Sequence, residues 1–179
     1  MRKLIIIITC VLCTGTVKAQ SVYSYSINTI EGNTKALNTY QGKKILVITL
    51  PTTQNSSNDS LLHSLDSLST VYASSLVIIA APSYEDGYSP AIKNDLNTWY
   101  RSILGNEIII TDGIYTRKTS GGQQHPLFNW LTDKEKNEHF NQDVTGPKSK
   151  FVVWTDGELI GALSAETRIG GSTINGLLQ

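Results

Sequence analysis

Apolar residues recur along this chain in three rhythms, and each predicts an element. The first is the unbroken run. Residues 43–50 (Lys-Lys-Ile-Leu-Val-Ile-Thr-Leu) are rich in β-branched side chains and bounded by Gly42 and Pro51, so they predict a buried central strand. Residues 75–81 (Ser-Leu-Val-Ile-Ile-Ala-Ala) predict a second buried strand, and 107–111 a third. The second rhythm is helical. Leu61, Leu65, Leu68 and Tyr72 share one face of a helix over 58–73, capped by Asn58 or Asp59. Ile92, Leu96, Tyr100 and Ile103 do the same for 90–104, with Pro90 in the first turn. His125 opens a further helix, and 172–178 form a short terminal one. The third rhythm is strict alternation. Residues 22–27 alternate, turn at Glu31-Gly32-Asn33 and return through 34–37 as an N-terminal hairpin. A closing hairpin pairs 150–155 with 158–164 around Asp156-Gly157, a two-residue turn signal. Strands alternating with helices, ended by an antiparallel hairpin, make an α/β layered domain: a central mixed β-sheet flanked by helices.

The first residues follow a different logic. Arg2-Lys3, an apolar stretch over 4–17, and Val17-Lys18-Ala19 before Gln20 form the pattern of a signal peptide over 1–19. The stretch is too short to span a bilayer. The expected mature domain is therefore 20–179, exported to a periplasm or outside the cell. It has 12 Lys and Arg against 15 Asp and Glu, a formal charge of −3. That balance lacks the basic stripe of a nucleic-acid binder, and no later stretch is apolar enough to cross a membrane. Both cysteines, Cys10 and Cys13, fall inside the signal. The mature domain is thus cysteine-free and holds itself together by packing, which its length allows.

The turn after the central strand is the chemical centre of the sequence. A strand passing into a helix N-terminus is where free N–H groups and the helix dipole stabilise a thiolate. Here that turn reads Pro51-Thr52-Thr53-Gln54-Asn55-Ser56-Ser57, with no sulfur. Two readings stay open. Thr53 and Gln54, with Glu85 expected near them across the parallel strands, form a small polar pocket for an anion or carboxylate. Alternatively the segment is a solvated loop with helix caps. The histidines, His63, His125 and His139, lack a third converging partner for a metal site, and no nucleophile-elbow motif supports a Ser-His-Asp hydrolase. Gly121-Gly122 lacks the strand-to-helix context of a nucleotide site. Trp154 is a candidate for an exposed strand face.

Several local segments in order resemble the glutathione peroxidases. These are Val22-Tyr23-Ser24-Tyr25 with Glu31-Gly32-Asn33, Tyr40-Gln41-Gly42-Lys43, Ala81-Pro82 before Gly87, Pro126-Leu127-Phe128-Asn129-Trp130-Leu131, and Lys150-Phe151-Val152-Val153 with Asp156-Gly157-Glu158. The resemblance covers nearly all of 20–179 and implies a thioredoxin-like fold. It also implies a site built from a Cys or selenocysteine with Gln, Trp and Asn. Those positions fall here at Thr53 or Gln54, near Glu85, and near Gly146-Pro147, and none matches. Peroxide reduction by that route needs an ionised, re-reducible nucleophile, which Thr and Gln are not. The expectation is a non-catalytic binding or scaffold module without cofactor, its partner an unidentified small molecule or protein. The alternative is an enzyme using Thr53, Gln54 and Glu85, for which a Glu85 pKa raised by burial would be the mark.

Overall fold

The computed structural model describes residues 20–179. The expected signal, Cys10 and Cys13 lie outside the described residues.

Five strands form the main sheet: β3 (Lys44–Leu50), β4 (Leu76–Pro82), β5 (Ile109–Ile110), β6 (Lys150–Val153) and β7 (Leu159–Leu163). Their spatial order is β5-β4-β3-β6-β7. β4 runs parallel to both β3 and β5, while β6 is antiparallel to β3 and to β7. The sheet is thus mixed, with the central run of the sequence at its centre. Every residue of β3 and β4 is buried. The period-two geometry of β3 divides the core. Leu46, Ile48 and Leu50 pack with Leu62, Leu65, Leu68, Leu96 and Tyr100 on one face. Ile45 and Val47 pack with Leu127, Phe128 and Trp130 on the other.

The helices are α1 (Ser56–Val71), α2 (Lys93–Arg101), α3 (Pro126–Thr132), α4 (Lys134–Asn137) and α5 (Ser172–Leu178). α1 starts two residues before the expected boundary. Asn55 is its N-cap, its side chain accepting from the Asn58 N–H at 3.0 Å. Neither expected cap serves as one. Asn58 is buried and donates to the Thr53 carbonyl at 2.8 Å, and Asp59 accepts from Trp99 Nε1 at 2.7 Å. The expected helix over 90–104 is a 3₁₀ turn, Pro90–Ile92, followed by α2.

The N-terminal hairpin is present but shorter than expected. β1 (Ser26–Asn28) pairs with β2 (Thr34–Ala36), and Val22–Ser24 form a 3₁₀ turn. The alternation tracks burial only from Ser24 to Asn28, where Tyr25 and Ile27 are buried between exposed neighbours; Val22 is a core residue out of that phase, in the 3₁₀ turn. In the closing hairpin the turn spans three residues. Trp154 N–H bonds the Glu158 carbonyl, Gly157 N–H bonds the Trp154 carbonyl, and Gly157 sits at φ 93°. That is a three-residue loop ending in a left-handed residue, a conformation glycine adopts without steric cost. Trp154 is half-buried under the Lys44 ammonium, 3.9 Å from its ring centre.

Lys150 is the outlier of the core. It is 1 % exposed, and its Nζ donates to the carbonyls of Lys148 (2.6 Å), Ser164 (3.2 Å) and Ala165 (3.3 Å).

Candidate functional site

The candidate site lies where β3 and β4 end. Two groups fix the turn after β3 from beneath. Fully buried Tyr100 donates its hydroxyl to the Pro51 carbonyl at 2.8 Å, and Asn58 holds the Thr53 carbonyl. Replacing Tyr100 with Phe leaves that carbonyl unpaired and is expected to cost about 1.5 kcal/mol of stability, read as a shift in the urea unfolding midpoint. Thr52 joins the two loops: its Oγ1 donates to the Asp86 carbonyl at 2.5 Å. Gly87 permits this approach. It sits at φ 97°, and a Cβ there would stand 3.1 Å from Thr52 Oγ1.

Thr53 and Gln54 are exposed, and neither side chain hydrogen-bonds another described residue. They stand at the start of a capped helix, so α1 offers its remaining N–H groups and its dipole to solvent there.

Glu85 lies in the adjoining loop, but its carboxylate is engaged by its own neighbourhood. It accepts from Ser83 Oγ at 2.5 Å, Thr116 N–H at 2.9 Å, Arg117 N–H at 2.9 Å and Ser120 Oγ at 2.6 Å. Burial pushes its pKa up, but the Ser120, Ser83 and Arg117 donors outweigh that and hold it down at about 2. The condition set for an acid–base role, a raised pKa, is therefore not met. Asp86 carries the opposite shift: burial raises it, against the adjacent Arg117 guanidinium. Asp86 Oδ1 is paired with Arg117 Nη2, while Asp86 Oδ2 and Arg117 Nε are buried without partners. Both unpaired atoms belong to one ion pair. The sequence reading missed this pair, because residues 86 and 117 are too far apart for a spacing signal.

The other expected positions are also located. Segment 146–149 lies against the end of β3: Thr49 Oγ1 donates to the Gly146 carbonyl at 2.9 Å, and Lys148 N–H bonds the Thr49 carbonyl at 2.8 Å. The place where the resemblance puts Trp and Asn is thus beside the turn, without those side chains. His63 is exposed, and Asp59, one turn before it on α1, accepts from Trp99 Nε1. His125 caps α3, its Nδ1 accepting from Leu127 N–H at 3.2 Å, and burial lowers its pKa. His139 is exposed, 3.9 Å from Glu158.

A cavity of about 1170 Å³ opens elsewhere, at the opposite end of the sheet. Gln41, which precedes β3, and the turn 155–158 line it, together with Tyr23 and Trp130. It shares no residue with the turn after β3. No helix among the described residues is long and apolar enough to cross a membrane.

No protein-family model and no curated protein sequence matches this chain. Solved structures do match in fold. The crystal structure of Trgpx in its apo form superposes with a TM-score of 0.65 at 20% identity, covering 89% of this chain and 94% of that one. GPX1 of T. cruzi gives 0.63 at 14% identity, covering 89% and 95%. A thiol:disulfide interchange protein of the thioredoxin family from Chlorobium tepidum gives 0.55 at 16% identity, covering 92% and 97%. The mixed five-stranded sheet, its flanking helices and the N-terminal hairpin make this a thioredoxin-like fold, similar to that of the glutathione peroxidases.

Proposed function

We propose that this chain is an exported, thioredoxin-fold binding or scaffold module that does not perform thiol redox chemistry. One observation carries the reading: residues 20–179 contain no cysteine, and the capped helix start after β3 presents Thr53 and Gln54. In a fold that neighbouring structures use for thiol:disulfide interchange, that position needs a group which ionises near neutral pH and can be oxidised and restored. A hydroxyl and an amide do neither. Glu85 also argues against a substitute acid–base mechanism, because a carboxylate saturated with donors holds no proton near pH 7.

Thr53 and Gln54 form the proposed contact surface, beside the loop that Glu85 braces. Their free side chains and the start of α1 suit an anionic or carboxylate-bearing group on a small molecule or protein. Export rests on the n-region, apolar stretch and small-x-small pattern of residues 1–19.

Disulfide exchange tests this reading. Purified 20–179, incubated with insulin and dithiothreitol, is expected to accelerate insulin precipitation no more than the reductant alone. Acceleration by the wild-type chain would overturn it. The same preparation, screened with carboxylate ligands, is expected to gain melting temperature only where a ligand binds the native state. Loss of that gain in Gln54→Ala would assign the contact to this turn.

A further inference from the structure

Gln20, which opens the expected mature domain, has a chemistry that the proposed function does not use. The residues after it are anchored. Ser21 Oγ accepts from Tyr23 N–H at 3.4 Å and donates to the Gly157 carbonyl at 3.5 Å. Val22 N–H also bonds the Gly157 carbonyl, and Val22 is fully buried. Tyr23 donates its hydroxyl to the Thr155 carbonyl at 2.8 Å. The contact is tight, since a Cβ on Gly157 would stand 2.1 Å from Ser21 Oγ. Gln20 is exposed and makes no hydrogen bond to any described residue. Cleavage after Ala19 would therefore leave an N-terminal glutamine with an exposed side chain, next to an anchored Ser21 and Val22.

We propose that Gln20 is a modification site: after signal removal its α-amine closes on its own side chain, giving a pyroglutamyl N-terminus. The inference rests on the processing site read between Ala19 and Gln20. The α-nitrogen attacks Cδ, the Cδ–Nε2 bond breaks, and ammonia leaves with the displaced proton. The product is a five-membered lactam, and nothing is oxidised or reduced. The change matters locally because Gln20 lines the large cavity, where Glu135, Glu138, Asp156 and Glu158 stand with Lys136 and His139. Ring closure removes one positive charge from a rim that holds four carboxylates, Lys136 and His139.

The experiment is intact mass and N-terminal peptide mapping of the full chain, expressed with its own leader and recovered after export. The expected product begins at residue 20 and is lighter than the Gln20 form by one ammonia. Pyroglutamyl aminopeptidase should then expose Ser21. A Gln20→Asn variant, whose shorter side chain would need a smaller strained ring, should keep a free amine. A wild-type chain beginning at Gln20 with a free amine would overturn the cyclisation and leave the processing site standing. A chain beginning at any other residue would overturn both.

Discussion

Lys150→Ala is expected to destabilise the chain by about 4 kcal/mol, combining a cavity of the size left by truncating a long buried side chain with stranded carbonyls. The lysine is 1 % exposed on β6 beside the central strand. Its ammonium is met by three backbone carbonyls, with no carboxylate among its hydrogen-bond partners. Burial lowers its pKa to about 8, helped by Lys148 and opposed by Glu166. The sign of the pH dependence follows. Between the folded value near 8 and the ordinary 10.5, the unfolded chain holds a proton that the folded chain does not, so stability rises with pH. Lys150→Met keeps the apolar stem and removes the titration. Wild type should therefore gain stability relative to Lys150→Met as pH rises above about 8. Urea unfolding of both proteins at pH 7 and pH 9.5 checks this, and a constant difference would contradict it.

Glu85→Ala is the second large effect, expected at about 3 kcal/mol because hydrogen bonds to a charged acceptor are worth more than neutral ones. Its carboxylate ties the loop after β4 to residues 116–120 through two backbone N–H groups and the Ser120 hydroxyl, and accepts the Ser83 hydroxyl of its own loop. Removing it releases that segment while leaving β3 and α1 packed. The folded pKa of about 2 lies below the ordinary 4.5, so the contribution is complete above about pH 5 and lost as pH falls toward 2. Glu85→Gln should flatten the acid limb of the stability profile, with a smaller loss at pH 7. An unchanged acid limb would show that other carboxylates govern it.

These two residues also mark how far the sequence could be read. The runs at 44–50 and 76–82 are legible because a strand buried on both faces has no reason to alternate. The face of α1 is legible because a helix repeats every 3.6 residues. Its start was misplaced by two residues, since Asn55, Asn58 and Asp59 are all competent caps. The contacts each makes decide among them: Asn58 turns back to the Thr53 carbonyl, and Trp99, forty residues on, claims Asp59. The closing turn was read one residue short because Asp-Gly suits either a two-residue turn or the end of a three-residue one. The passage from β3 into α1 was legible, as was the absence of sulfur from residues 51–57. The role of Glu85 was not, because its donors come from Ser83 and from a loop more than thirty residues away. Lys150 was likewise hidden: nothing in a strand pattern announces a charge satisfied by carbonyls at 148, 164 and 165.

The most direct test of the central claim is hydroperoxide reduction by purified 20–179, with glutathione and with thioredoxin as reductants, beside Thr53→Cys and Gln54→Cys. Wild type is expected to be silent. The cysteine variants should carry thiols made acidic by the α1 N-terminus, reactive toward disulfide reagents whether or not they turn over peroxide. Enzyme-like peroxide turnover by the wild-type chain would contradict the account and require a redox mechanism without sulfur.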